Sequence, residues 1–128
     1  NKNINLNTSD NISIYADPDK LSRVFNNLIK NAINYSKENT DIDINVKKKN
    51  KEIEVEIINQ GKMIPKDKLD KIFENFYRLD TSRTSKTGGS GLGLAISKQI
   101  VELHNGNIKV NSDKNKTIFT IILPIEEE

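Results

Sequence analysis

Cysteine and tryptophan are absent from this chain, and histidine occurs once among its 128 residues, as His104. The lack of cysteine excludes a disulfide framework and any thiolate metal site. A lone histidine excludes a multi-histidine zinc centre. An excess of one charge is lacking too: 20 basic and 18 acidic side chains leave a net charge of +2. A dedicated nucleic-acid binder carries a concentrated basic surplus, so no nucleic-acid partner is expected. No apolar run approaches the roughly 20 residues that cross a bilayer, and the opening residues do not read as a secretory signal. The chain is expected to be soluble, by itself or as the soluble end of a membrane protein. What is present suffices for one domain, since 34% hydrophobic and 30% charged residues allow a single core under a well-solvated surface. Asparagine, isoleucine and lysine are used heavily, so one asparagine alone is a weak signal.

Apolar spacing orders the chain as strand, helix, two strands, short helix, long loop, helix, two strands. Asn11 to Tyr15 reads as a short strand with Ile12 and Ile14 on one face. Asp17 is a good N-cap and Pro18 suits the first helical position. From there Leu21, Val24, Phe25, Leu28, Ile29 and Ala32 recur at threes and fours until near Tyr35, which predicts a helix. Ile42, Ile44 and Val46 alternate, as do Ile53, Val55 and Ile57, predicting a hairpin around Asn50 with Lys47, Lys48, Lys49 and Lys51 solvated at its turn. Asp67 to Phe73 reads as a short helix. Arg78 to Ser90 has few apolar anchors and reads as a long mobile loop, of a length that is usually functional or disordered. Gly91 to His104 is a second long helix, with His104-Asn105-Gly106 as its C-terminal cap. Asn107 to Asn111 and Ile118 to Leu123 form a closing strand pair stopped by Pro124, before a frayed acidic end at Glu126 to Glu128. The fold class expected is α/β: a two-layer sandwich whose mixed, mainly antiparallel sheet of about five strands is covered on one face by three helices.

Three constellations carry chemistry. Asn27, Asn31 and Asn34 are spaced i, i+4 and i+7 and share one face of the first helix. Neutral amides there can bind a metal through oxygen and a phosphate through NH₂. Thr87 to Leu94 holds four glycines in six positions just before a helix. Free N–H groups and the favourable dipole end make such a helix start an anion site. No Gly-Lys-Ser/Thr follows and no strand immediately precedes, so this is neither a P-loop nor a dinucleotide-binding fingerprint. Third, Asn59-Gln60-Gly61-Lys62-Met63-Ile64-Pro65 ends a strand, where an amide can read a base by accepting from an exocyclic amine and donating to the neighbouring ring nitrogen.

In this order the segments resemble a known family. Asn27-Leu28-Ile29-Lys30-Asn31-Ala32-Ile33-Asn34-Tyr35-Ser36 is similar to the asparagine box of sensor histidine kinases, and Asn59 to Pro65 to their first glycine box. Phe73-Glu74-Asn75-Phe76-Tyr77-Arg78-Leu79-Asp80 resembles the phenylalanine box, and Gly89-Ser90-Gly91-Leu92-Gly93-Leu94-Ala95 the second glycine box. Thr117 to Pro124 looks like the closing strand. The resemblance covers residues 12 to 124. It implies the Bergerat fold, shared with gyrase, Hsp90 and MutL, and specifically the catalytic ATP-binding domain of a two-component sensor. The Asn-x-Gly-Lys-x-Ile-Pro wording is further similar to vancomycin-resistance sensor kinases.

The resemblance implies roles. Asn31 would ligate a Mg²⁺ that bridges the triphosphate of ATP, with Asn27 supporting it and Asn34 on the same face. Tyr35 would pack near adenine or ribose, Asn59 would bind the adenine amine, Gly61, Met63 and Ile64 would line its pocket, and Thr117 would lie nearby. Phe76 to Gly91 would be the ATP lid, with Tyr77 in it and Arg78 close to the γ-phosphate. Gly89, Gly91, Leu92, Gly93 and Leu94 would cradle phosphates. The implied reaction passes the γ-phosphoryl group to a histidine on the sensor's own dimerisation domain, for a response regulator downstream. Positioning and electrostatics dominate such a transfer. The parent would be a homodimeric membrane sensor. This chain would be its cytoplasmic domain, monomeric and inactive alone, and His104, at a helix cap, would not be the acceptor.

Several positions depart from the family's wording. Asn59 stands where an aspartate usually opens the first glycine box, which predicts weaker or altered adenine binding. Met63 replaces that box's second glycine. Asn34 sits where a basic residue is common, leaving Lys30, Lys37 or Arg83 as substitutes for a phosphate contact. Asn115 and Lys116 stand where a glycine often precedes the closing strand. A gyrase- or Hsp90-type ATPase would need a glutamate base where this chain has Asn27, and an amide cannot abstract a proton. An anti-sigma-type kinase, or a degenerate module acting mainly by ATP or partner binding, is the remaining alternative.

Overall fold

The first helix is set by local chemistry that the structure reproduces. This computed structural model describes residues 4–8, 16–61, 63–69, 71–74, 93–113 and 115–125. Helix α1 (Pro18–Tyr35) starts at Asp17, whose carboxylate accepts from the backbone N–H of Asp19 at 3.0 Å and of Lys20 at 3.2 Å. That satisfies two of the donors a helix start leaves unpaired. Its stripe of Leu21, Val24, Leu28 and Ala32 is buried, with Phe25 and Ile29 against the same core.

Behind α1 lies one five-stranded sheet. Strands β1 (Ile4–Thr8), β2 (Ile42–Lys49), β3 (Glu52–Gln60), β4 (Asn107–Ser112) and β5 (Lys116–Pro124) take the order β1-β2-β3-β5-β4. Only the β1–β2 pair is parallel, so the sheet is mixed and mainly antiparallel as expected. The hairpin between β2 and β3 turns at Asn50, whose φ of 53° is the left-handed angle asparagine tolerates. Lys47 and Lys49 pair across it with Glu56 and Glu54 at 3.8 and 3.1 Å, on the solvated side.

Alternate residues of the sheet, Ile53, Val55 and Ile57 on β3 and Phe119, Ile121 and Leu123 on β5, are buried toward the helices. Helix α3 (Gly93–Leu103) completes that layer through Ala95, Ile100 and Val101. Its end is closed by Asn105 at φ 63° and by the Gly106 N–H donating to the Val101 carbonyl at 2.9 Å. A Cβ on Gly106 would run into the Ile122 carbonyl and the side chains of Leu123 and Val101. His104 has the structural role its position suggested. Its Nδ1 pairs with the Ile100 carbonyl at 2.8 Å, and its Nε2 accepts from the Asp17 N–H at 3.2 Å. One imidazole thereby joins the end of α3 to the start of α1.

Two expectations change. The strand expected at Asn11 to Tyr15 lies outside the described residues, while Ile4–Thr8 forms an edge strand that spacing did not indicate. Asparagine is a poor strand former by propensity, but Asn5 donates to Asp41 and Asp43 at 3.3 and 3.0 Å, and Asn7 donates to Asn45 at 3.0 Å. These cross-strand bonds favour pairing where propensity does not. The short helix α2 is Lys66–Leu69, not Asp67 to Phe73. It begins from Pro65, whose carbonyl receives Lys68 and Leu69. Past it, the chain turns at Lys71 to Glu74, burying Ile72 and setting Phe73 edge-on to Phe119 with ring centroids 6.2 Å apart.

Candidate nucleotide-binding cleft

The C-terminal half of α1 and the segment after β3 face each other across a cleft of about 570 Å³. α1 contributes Asn31, Tyr35 and the following Ser36 and Lys37. The other wall is Met63, Ile64, Pro65 and Lys68, and the sheet contributes Asn59, Thr117 and Phe119. Six residues nominated from sequence therefore meet: Asn31, Tyr35, Asn59, Met63, Ile64 and Thr117.

Three backbone constraints shape it. The Lys37 N–H donates to the Gln60 carbonyl at 2.8 Å, tying the end of α1 to the end of β3. The Gly61 N–H donates to the Asn115 carbonyl at 2.9 Å, so Asn115 holds the strap where a glycine was expected. Gly61 itself is buried, and a Cβ there would lie 2.7 Å from the Tyr35 carbonyl oxygen. No other residue lets the strap pass that close to α1. Gly61 is thus a wall element, not a lining one.

The polar groups fall into two sets. Asn59 and Thr117 are opposite each other on β3 and β5 and are the most buried polar side chains of the cleft, 3% and 4% exposed. Thr117 is positioned by a residue that sequence reasoning missed. Ser112 accepts from the Ile64 N–H at 2.8 Å, and its Oγ lies 3.0 Å from the Thr117 hydroxyl. The second set is cationic. Of the three substitutes considered for Asn34, Lys37 lines the cleft, Lys30 does not, and Arg83 lies outside the described residues. Lys68, unforeseen because α2 places it, is the other cation. No carboxylate lines the cleft among the described residues, so its field favours an anion.

Asn27 and Asn34 do not line the cleft. Tyr35, i+4 from Asn31, takes the place on the helix that Asn34 was expected to share. Asn27 instead turns to α3: its Nδ2 donates to the Gly93 carbonyl at 3.3 Å and to Ser97 Oγ at 3.5 Å. The amino end of α3 is thereby fixed one turn of α1 away from Asn31. Gly93 opens α3, and Leu94 packs partly against the core. Phe76, Tyr77, Arg78, Gly89, Gly91 and Leu92 lie outside the described residues.

Comparison with known proteins gives this fold its class. Residues 16–127 match the family of histidine kinase-, DNA gyrase B- and HSP90-like ATPases, and the chain belongs to that family. Relatives that it matches are sensor kinases. Over 119 residues it is 48% identical to the sensor protein VanS of Enterococcus faecium, covering 93% of this chain and 31% of the relative. Over 113 residues it is 48% identical to the sensor protein kinase WalK of Staphylococcus aureus, covering 86% and 27%. The chain thus spans about a third or less of these relatives' length. It matches the catalytic domain of the histidine kinase ThkA with a TM-score of 0.84 at 30% identity, over 96% of this chain and 78% of that one. The mycobacterial sensor histidine kinase MprB gives a TM-score of 0.79 at 27% identity, over 96% and 80%. The two-layer fold expected from sequence is therefore that of a histidine kinase catalytic domain.

Proposed function

We propose that this chain binds Mg-ATP in the cleft and donates the γ-phosphoryl group to a histidine on a separate dimerisation domain of the same sensor. The phosphoryl group would then pass to a response regulator. The observation that carries this reading is the convergence of Asn31, Asn59 and Thr117 in one cleft bordered by lysines and free of carboxylates. Asn59 and Thr117 present hydrogen-bonding groups to a base beside Ile64 and Phe119. Lys37 and Lys68 offer charge to the phosphates. Asn31 fits the metal: its half-buried amide lines the cleft and makes no side-chain hydrogen bond among the described residues. Those residues hold no group of three or more His, Cys, Asp or Glu that could cage an ion alone. That suits Mg²⁺, which prefers one or two protein ligands together with substrate phosphates. When bound, the ion would neutralise charge on the transferring phosphate. The protein's share is orientation: α1 and α3 are fixed relative to each other by Asn27, and the strap by Gly61 and Asn115.

The position where a gyrase- or Hsp90-type ATPase would hold a water-activating base carries Asn27, whose amide is bonded to Gly93. Transfer to a protein side chain is therefore favoured over hydrolysis. The parent is proposed to be a homodimeric membrane sensor with this domain on its cytoplasmic side. No helix among the described residues is long and apolar enough to cross a membrane. The test has two stages. A fluorescent ATP analogue should bind in the presence of Mg²⁺, be displaced by ATP, and lose most of its affinity in Asn31→Ala. With γ-labelled ATP and the parent's dimerisation domain supplied in trans, label should appear on histidine. Absence of Mg²⁺-dependent binding at high protein concentration would remove the proposal.

A further inference from the structure

Asn59 is 3% exposed, yet its side-chain amide makes no hydrogen bond among the described residues. Among them, too, no buried side-chain nitrogen or oxygen is sealed away without a partner. Both ends of this amide must therefore reach the cleft surface that Asn59 lines. At the cleft surface the amide is free to pair with a ligand's base edge. Its chemistry is also two-sided. The carbonyl oxygen accepts, the NH₂ donates, and no neighbour fixes which points where. Opposite it stands Thr117, whose hydroxyl pairs with Ser112 in a contact where either oxygen can donate. The two deepest polar groups of the cleft thus share one property: neither has a fixed sign.

We infer that Asn59 makes this cleft accept 6-oxopurine nucleotides as well as 6-aminopurine ones. In one orientation the amide oxygen accepts from an exocyclic 6-amine while Nδ2 donates to the unprotonated ring N1. Flipped about its terminal bond, Nδ2 donates to a 6-oxo group while the oxygen accepts from N1–H. Both base edges find two matched bonds, and the Thr117 hydroxyl adapts to either. A carboxylate at position 59 would only accept. With either base it would leave one group without a donor, the ring N1 of the amino base or the 6-oxo oxygen of the other, so only the amide gives both bases two bonds.

This inference rests on the proposed nucleotide site, and the experiment separates the two. The chain is loaded with a fluorescent ATP analogue and Mg²⁺, then titrated with ATP or ITP, which differ only at position 6 and N1. ITP is expected to compete within about tenfold of ATP. In Asn59→Ala, which can pair with neither base edge, affinity for both nucleotides is expected to fall by about tenfold or more. An ITP affinity further below ATP in the unaltered chain overturns the inference and leaves the nucleotide site standing. So does an ITP affinity that Asn59→Ala does not lower. Failure of both nucleotides to compete overturns the nucleotide site itself. The unaltered chain carries the first comparison, so the test survives a variant that does not fold.

Discussion

Asn27 and Gly93, 66 residues apart, clamp the two long helices together: the Asn27 amide donates to the Gly93 carbonyl at 3.3 Å. Ser97, fully buried, donates to the same carbonyl at 2.8 Å and offers its oxygen to Asn27 at 3.5 Å. Asn27 therefore faces two oxygens and must be a donor. Asn27→Asp keeps the shape and removes that donor. It is expected to lower stability by about 1–3 kcal/mol, measured by urea unfolding. Gly93→Ala should be mild by the same measure. A Cβ there would meet Asn27 Cγ at 3.6 Å, an ordinary contact. An unchanged urea midpoint in Asn27→Asp would refute the clamp.

Ser112 lies outside the cleft lining yet organises it. It receives the Ile64 N–H and pairs with Thr117, so one hydroxyl connects the strap to the base end of the cleft. Ser112→Ala leaves the Ile64 N–H and the Thr117 hydroxyl without that partner. Stability should fall by about 1–3 kcal/mol. Affinity for an ATP analogue should fall about three- to tenfold, as a misplaced Thr117 loses part of one hydrogen bond. Ser112→Thr keeps the hydroxyl and should restore most of the binding. Equal loss in both variants would make the effect one of packing.

The parts of this architecture that follow local rules were legible from sequence. Asp17 and Pro18 announced α1, and the period-two runs announced β2 and β3. His104-Asn105-Gly106 announced the end of α3, because caps and periodicity depend on neighbours within a few residues. What was not legible depends on distant partners. β1 pairs through Asn5 and Asn7 with residues 38 positions away, and its alternation hides in an asparagine-rich segment. Asn31, Asn59 and Thr117 could be nominated because the boxes containing them resemble a family. Ser112 and Lys68 could not, since each acquires its place through a turn closed elsewhere. Asn27 and Asn34 show the limit of helical spacing. Sharing a face with Asn31 does not decide which neighbour that face meets.

His104 joins α3 to α1 through both ring nitrogens, to the Ile100 carbonyl and the Asp17 N–H. His104→Ala removes both bonds and should cost about 1–2 kcal/mol in urea unfolding. It should leave labelling of a dimerisation domain in trans intact, because both nitrogens are already engaged and lie outside the cleft lining. Phosphate found on His104 in the unaltered chain would contradict its role as a structural tie.

Gly61 offers the sharpest steric test. Its missing side chain lets the strap after β3 pass the end of α1, where a Cβ would stand 2.7 Å from the Tyr35 carbonyl oxygen and 3.4 Å from Asn59 Nδ2. The first of these is a contact with backbone, which cannot rotate away. In Gly61→Ala the strap must move outward, against the bonds from Gly61 to Asn115 and from Lys37 to Gln60. Overpacking of this kind costs about 1–3 kcal/mol. It also displaces Asn59, so affinity for an ATP analogue should drop at least tenfold, the loss expected of about one misaligned hydrogen bond. Both effects can be read on one preparation, by urea unfolding and by fluorescence titration. Binding that survives intact would mean that the close approach of Gly61 to Tyr35 does not define the cleft wall.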